Sequence, residues 1–338
     1  MNRPDLQLLR RRRLLAALAV IALGLPVFGV ASPALAQPSA ACAAAVTATP
    51  TGPATVSTKD TAFGKVLEIG AGAYEGCSLY LLTSDQLRAI DGRPFACGNG
   101  PNAIGLACDT VLWPALLTLG SPIAGPGVNP TMLGTVTRTD LPGLPAVQQV
   151  TYAGHPLYRF FLDETSVETD GADLFDPVTS PTGIWYLVSP RGVPAPGRAH
   201  LGLETAPLNG SGDATVLAVS MDHGFVLLPD GSFPVYTLST DGRGARDKGA
   251  CGGECAALYW PPVLTSGRPD AGPGVDQRDL GTTIRPDGTE QVTYRGQPLY
   301  LFENDAYIPT LPYNGGTAGI NGSGLSTPWG EFQAIQLP

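Results

Sequence analysis

The chain has 338 residues, 43 of them Gly and 33 Pro, with 14% charged and 43% hydrophobic. Setting aside residues 1–36, which hold five Arg and one Asp, leaves 15 basic and 28 acidic residues, a net charge of −13 against −9 for the full sequence. A surface this acidic repels phosphate backbones and argues against nucleic acid as a partner, while the apolar fraction is enough to bury a core and argues against chain-wide disorder.

From the N-terminus, residues 1–36 have the layout of a signal peptide. Arg10 to Arg13 form a basic region, Leu14 to Val30 an apolar run broken by Gly24 and Pro26, and Ala34-Leu35-Ala36 a cleavage site, so the mature chain is expected to begin near Gln37. The apolar run is short and helix-broken, so no membrane span is expected after cleavage. Residues 37–60, dominated by Ala, Thr, Pro and Ser, read as a disordered linker. A first repeat domain is expected over 61–190, a Pro/Gly-rich linker over 191–212 and a second repeat domain over 213–338.

All six cysteines lie in the mature part, and an even number outside the cytoplasm points to three disulfides. Cys251 and Cys255 are joined through Gly252 and Gly253, a turn that brings two α-carbons within disulfide reach. Cys97 and Cys108 are expected to pair by equivalence with them, leaving Cys42 and Cys77. Ser39-Ala40-Ala41-Cys42 is a poor lipidation signal because Leu is missing from it, so Cys42 is open to lipidation or to the disulfide.

The chain repeats itself. From Cys97 and again from Cys251 a second Cys stands five residues before a Trp-Pro (Cys108 and Trp113, Cys255 and Trp260), followed in order by AGPGV, LGT, QVTY and PLY. Each large repeat carries twice a motif in which an Asp follows a Tyr by five residues. The four are Tyr80 with Asp85, Tyr158 with Phe160 and Asp163, Tyr236 with Asp241, and Tyr300 with Phe302 and Asp305. Leu82 and Leu238 stand where the other two copies have Phe, which marks the aromatic as a packing choice.

Strand signatures occur at Ala214 to Ser220, Leu280 to Ile284, Gln291 to Tyr294 and Leu299 to Phe302, separated by turn signals such as Asp287-Gly288 and Arg295-Gly296. The fold class is therefore all-β: four β-meander units in two large repeats, arranged as a small propeller-like ring or as two sandwich or barrel domains. In an extended segment Tyr300 and Phe302 face one way and Leu299 and Leu301 the other, as in a strand covered on both sides. Tyr and Asp of one motif would then lie about 16 Å apart, too far for a catalytic dyad. The Asp is expected to accept backbone N–H groups in a turn, and the Tyr to bury its ring and bond a backbone group. The competing expectation is that the Tyr and Asp of different units converge on one pocket.

The Tyr-x-Phe-x-x-Asp pattern, the Cys-x3-Cys before Trp-Pro-Pro, and the run from Asp287 to Tyr300 resemble the bacterial secreted repeat of unknown function, a family of presumed lipoproteins. The resemblance covers most of 61–338 and implies an exported location, frequent lipid anchoring and no assigned chemistry.

No motif of nucleophilic or zinc chemistry surrounds His155, His200 or His223. No catalytic residue, metal site or cofactor is expected. The leading reading is a non-enzymatic envelope or secreted protein that binds a partner or ligand at the cell surface. The alternatives are a periplasmic redox or metal-handling accessory, and a carbohydrate-binding or carbohydrate-active protein in which Trp113 and Trp260 stack on sugars. Asn314 to Gly324 reads as a connector before a final strand.

Overall fold

The repeated hairpins of the sequence set the architecture. The structure, a computed structural model, describes residues 42–86, 92–98, 107–175, 183–209, 212–220, 232–242, 249–305 and 319–337. The expected signal segment and His223 lie outside the described residues. Ala40–Pro338 form one unit. It is mostly strand, in several sheets of three or four strands, with no closed barrel among the described residues.

Each repeat opens with an antiparallel hairpin, Thr55–Thr61 with Gly64–Ile69 and His200–Pro207 with Asp213–Ser220. In both, the first strand also takes a short parallel partner that includes the Ala of AGPGV: Val56 pairs with Ala124, and Leu201 with Ala271. A second sheet holds the first tyrosine strand of each repeat beside the repeat's last long strand, Tyr80–Leu82 against Ile184–Val188 and Tyr236–Leu238 against Gly330–Ala334. A third is built on the LGT and QVTY segments, Leu133–Arg138 with Val147–Tyr152 and Leu280–Ile284 with Glu290–Tyr294.

Two readings based on composition differ from this. Strand Thr55–Thr61 lies largely inside the stretch 37–60, and Val56 is fully buried. Strand His200–Pro207 lies inside the stretch 191–212 and begins the second repeat. In both cases small and polar residues suggested a linker, but ladder hydrogen bonds and burial against the rest of the sheet override that weak propensity. Leu299 to Phe302 is extended, yet it is not a regular strand because each residue bonds a different neighbour. Leu299 pairs with Val292 and Val263, Tyr300 with Tyr236, and Leu301 with Pro261.

The side chains sort into three cores. Leu79, Leu81, Leu157, Val235, Leu299 and Leu301, the apolar residues flanking the four tyrosines, all enter one core that also takes the hairpin residues Val56, Leu67, Leu201, Leu217 and Val219. That core draws on both repeats, and Phe175 meets Phe233 across it with ring centroids 5.4 Å apart. On the opposite side of the motifs, Tyr80, Leu82, Tyr158 and Phe160 enter a core private to the first repeat, and Tyr236, Leu238, Tyr300 and Phe302 one private to the second. The expected two-sided burial of the motif is thus the boundary between a shared and a private core.

Three cysteine pairs stand at disulfide distance, Cys42–Cys77, Cys97–Cys108 and Cys251–Cys255, with α-carbons 5.5, 5.2 and 5.3 Å apart. Separations of 35, 11 and 4 residues correspond to about 4, 3 and 2 kcal/mol of loop-closure stabilisation in the chain-entropy account.

Because the largest core is shared, the two repeats should unfold together. Scanning calorimetry of the disulfide-intact chain is expected to give one transition with matching calorimetric and van't Hoff enthalpies. Two resolved transitions would show independent domains.

Candidate functional site

The four motifs meet in two pairs, one per repeat. Tyr80 and Tyr158 face each other in an antiparallel bridge, each N–H donating to the other's carbonyl at 2.9 and 3.0 Å; Tyr236 and Tyr300 repeat this at 2.9 Å in both directions. An antiparallel pair bonded in this way places both side chains on one face of the ladder. All four rings are fully buried.

The hydroxyls then cross over. Tyr80 Oη donates to Asp163 Oδ2 at 2.6 Å and Tyr158 Oη to Asp85 Oδ2 at 2.7 Å. In the second repeat Tyr300 Oη donates to Asp241 Oδ2 at 2.7 Å and Tyr236 Oη to Asp305 Oδ2. Each tyrosine hydroxyl thus donates to the aspartate of its partner motif rather than to that of its own. Short 3-10 turns, Thr83–Asp85 and Glu303–Asp305, bring Asp85 and Asp305 in from beyond the tyrosine segment. The second oxygen of each carboxyl accepts a backbone N–H: from Ala96 to Asp85 at 2.6 Å, Asp170 to Asp163 at 2.9 Å, Asn321 to Asp305 at 2.8 Å, and Ala250 to Asp241. The expectation of backbone N–H groups on the Asp thus describes half of its bonding, while the Tyr hydroxyl donates to a carboxylate and meets the expected backbone group where Gly322 N–H donates to Tyr236 Oη at 3.3 Å. The four sets do not line one cavity, because the two pairs lie in separate private cores.

An arginine stands beside one crossed pair in each repeat. Arg138 is wholly buried and its guanidinium bonds Gln149 Oε1 at 2.7 Å, the Cys97 carbonyl at 3.0 Å, Asp140, Asp109 and, at 3.5 Å, the Tyr158 hydroxyl. Arg285 bonds Gln291 Oε1 at 2.7 Å and the Cys251 carbonyl at 3.2 Å. Gln149 and Gln291 in turn donate to the carbonyls of Leu157 and Leu299, directly before the paired tyrosines.

Charge follows this asymmetry. Burial, and after it the neighbouring carboxylates, push all four tyrosine hydroxyls above their ordinary range. Burial also raises Asp85, against the opposing pull of the Tyr158 hydroxyl, the Ala96 N–H and Arg138. Asp163 and Asp305 are raised by burial to about 7, against the pull of the tyrosine hydroxyl and the backbone N–H that each accepts. Asp109, whose Oδ1 is buried without a hydrogen-bond partner, also rises by burial to about 7 despite Arg138.

The aromatic floor is equally repetitive. Trp113 stacks on Trp185 at 3.7 Å and 6° and Trp260 on Phe332 at 3.7 Å and 2°, while Phe160 and Phe302 each lie 4.3 Å from their tryptophan. A β-carbon on Gly171 would stand 2.8 Å from Trp113 and one on Gly322 2.7 Å from Trp260, so both positions require glycine. Trp113 and Trp260 are buried, which removes them as sugar-stacking surfaces and makes them packing partners of the tyrosines. The connector Asn314 to Gly324 is described only from 319, and there it is packed rather than loose: Gly322 meets Trp260, and Ile320 N–H bonds the Pro207 carbonyl. His155 is drawn down to about 4 by burial, and His200 Nδ1 lies 3.5 Å from Asp270. No group of three or more His, Cys, Asp or Glu suited to a metal ion occurs among the described residues.

Arg138, Arg285, Gln149 and Gln291 carry the crossed pairs, and sequence reasoning missed them. Their signal was present: both copies read Leu-Gly-Thr-x-x-Arg-x-Asp before the QVTY segment. Residues 281–309, which span Arg285, Gln291, Tyr300 and Asp305, match the family model described as a secreted repeat of unknown function. Over these residues the chain is similar to that repeat. No curated protein and no solved structure matches the chain. The matched stretch is not closed by itself, because Tyr236 and Asp241, the partners of its Asp305 and Tyr300, lie upstream of it.

Two predictions follow from the crossed geometry. Removing a carboxyl leaves a buried hydroxyl unpaired, so Asp163→Ala should cost about 1–3 kcal/mol in chemical denaturation. A double-mutant cycle should give Tyr80→Phe and Asp163→Ala a clearly larger coupling than Tyr80→Phe and Asp85→Ala. Equal couplings would contradict the crossing.

The second concerns pH. A carboxyl raised on folding stabilises the fold fully below its unfolded value, and that contribution is lost as pH climbs through the folded value. Asp163 and Asp305, with Asp109 and Glu303 also near 7, should therefore lower the melting temperature as pH rises from about 4 to about 7. His155, depressed to about 4, works in the opposite direction over that window. Asp163→Asn with Asp305→Asn should flatten the slope, and an unchanged slope would place the titration elsewhere.

Proposed function

We propose that this chain is a non-enzymatic protein of the cell envelope or exterior that binds a partner or ligand at the cell surface, its repeated motifs serving as scaffold. The observation that carries this reading is the bonding of the motif residues. The most chemically suggestive side chains of the sequence, four Tyr and four Asp, are buried and spend their polar atoms on one another and on backbone groups. No substrate can reach a hydroxyl or carboxyl consumed in this way, and what the arrangement supplies is a rigid, self-bonded interior.

The secreted-repeat match and the three cysteine pairs fit an extracellular or envelope location. The sequence of residues 1–36 supports export through a cleaved signal peptide. Cys42 has its sulfur engaged with Cys77, which supports a mature chain held by a disulfide rather than by a lipid on that thiol. The same complete pairing of the described cysteines weakens the thiol-redox alternative.

Protein purified from its native host should have a mass beginning at Gln37 with three disulfides and no lipid. It should show no reactive thiol in denaturant and bind saturably, once labelled, to cells that lack it. A lipid adduct on Cys42, titratable thiols or stoichiometric metal would overturn the corresponding part of this reading, and absence of cell binding would overturn its function.

A further inference from the structure

The second repeat has one aromatic surface that its internal equivalence to the first does not explain. Tyr259 is the last residue of the single π-helical turn Cys255–Tyr259 and precedes the buried Trp260; it is 37% exposed. The residue in the same place before Trp113 is Leu112, which is fully buried. Beside Tyr259, with centroids 5.9 Å apart and planes at 34°, lies the half-buried ring of Trp329 at the tip of the hairpin Leu325–Thr327 and Gly330–Ala334. The equivalent tripeptide of the first repeat is Pro181-Thr182-Gly183, against Pro328-Trp329-Gly330. The first repeat carries Leu and Thr at these two places in its sequence, so the pair of rings belongs to the second repeat alone.

The pair is held in place from several sides. Trp329 N–H bonds Thr327 Oγ1 at 3.2 Å, its carbonyl accepts Thr240 Oγ1 at 2.7 Å, and its ring rests on the private core of the repeat. Tyr259 is fixed by the Cys251–Cys255 disulfide at the head of its turn. Running on from Trp329, Glu331 and Gln333 alternate with the buried Phe332 and Ala334 and point outward, Gln333 Nε2 donating to Glu331 Oε1, beside the exposed Ser326 on one flanking strand and Ser239 just past the end of the other. Two fixed aromatic faces beside a strip of carboxylate, amide and hydroxyl groups match a pyranose ring, which offers an apolar C–H face and a rim of hydroxyls. A positively charged partner would need more acidic groups than the strip supplies, and an anionic one would be repelled by the acidic chain.

We propose that an uncharged hexopyranose polymer docks on this face, its rings stacked on Tyr259 and Trp329 and its hydroxyls met by Glu331, Gln333 and Ser239. This deepens the surface-binding reading above and rests on it. Fluorescence offers a direct test, because Trp113, Trp185 and Trp260 are buried and Trp329 is the one of the four tryptophans that a solute can touch. Soluble oligomers of glucose and of N-acetylglucosamine are titrated into the disulfide-intact mature protein, with tryptophan emission, acrylamide quenching and calorimetry as readouts.

One of the oligomers is expected to shift emission saturably and to shield the accessible component from acrylamide. By calorimetry, Trp329→Ala and Tyr259→Ala should each weaken binding about tenfold or more, while Trp329→Phe and Tyr259→Phe, which keep a ring, should stay within about threefold. No saturable signal from either oligomer up to about 10 mM, or affinity unchanged in both alanine variants, overturns the glycan proposal. If labelled protein still binds cells in that case, only this inference fails; loss of both removes the surface-binding reading as well.

Discussion

A buried carboxyl that takes its hydrogen bond from the tyrosine of another segment is the constraint on which the rest of the structure depends. Burying an aspartate is unfavourable unless both oxygens are satisfied, and a tyrosine hydroxyl together with a loop N–H does this for all four. Crossing makes each bond a tertiary contact. Asp163 is 83 residues from Tyr80, and Asp85 is 73 from Tyr158, so the loops that follow the motifs are tied to strands far away in sequence. The arginine and glutamine of the LGT and QVTY segments extend this polar core toward the cysteine turn. Arg138 touches the Cys97 carbonyl and Arg285 the Cys251 carbonyl.

Around that polar centre the apolar residues divide cleanly. Because strand side chains alternate, each tyrosine segment can serve two cores at once, and the leucines flanking the tyrosines are what join the repeats. The stacked Trp–Trp and Trp–Phe pairs close the private cores from below. The requirement for glycine at 171 and 322 shows how closely the loops after the second motif are drawn onto them.

Much of this was legible in the residues because repetition amplifies weak signals. The all-β class and the strand Leu280–Ile284 came from local strand and turn patterns, the two-sided tyrosine segment from strand alternation, and the four motifs and the Cys97–Cys108 pairing from aligning the chain with itself. The carboxylate partner of the tyrosine hydroxyl was hidden for a simple reason. A motif considered alone contains both a donor and an acceptor, and only the antiparallel bridge between Tyr80 and Tyr158 reveals that each donor reaches its neighbour's acceptor. The start of the second repeat at His200 was hidden for another reason. The strand His200–Pro207 alternates glycine, alanine and threonine with larger residues, a composition shared with linkers, and it owes its conformation to eight residue pairings with Asp213–Ser220.

The open valence of the secreted repeat sets the grain size of its evolution. Residues 281–309 supply Tyr300 and Asp305 to the crossed pairs, each of which is completed by a residue outside that stretch. Copying such a segment singly would leave a phenol and a carboxyl stranded in an apolar interior, so a gene can lengthen this architecture only by adding complementary halves together. A chain carrying a lone half would have to borrow the missing one from another molecule, and in this fold the count of motifs is thereby also a statement about how many chains a folded unit requires.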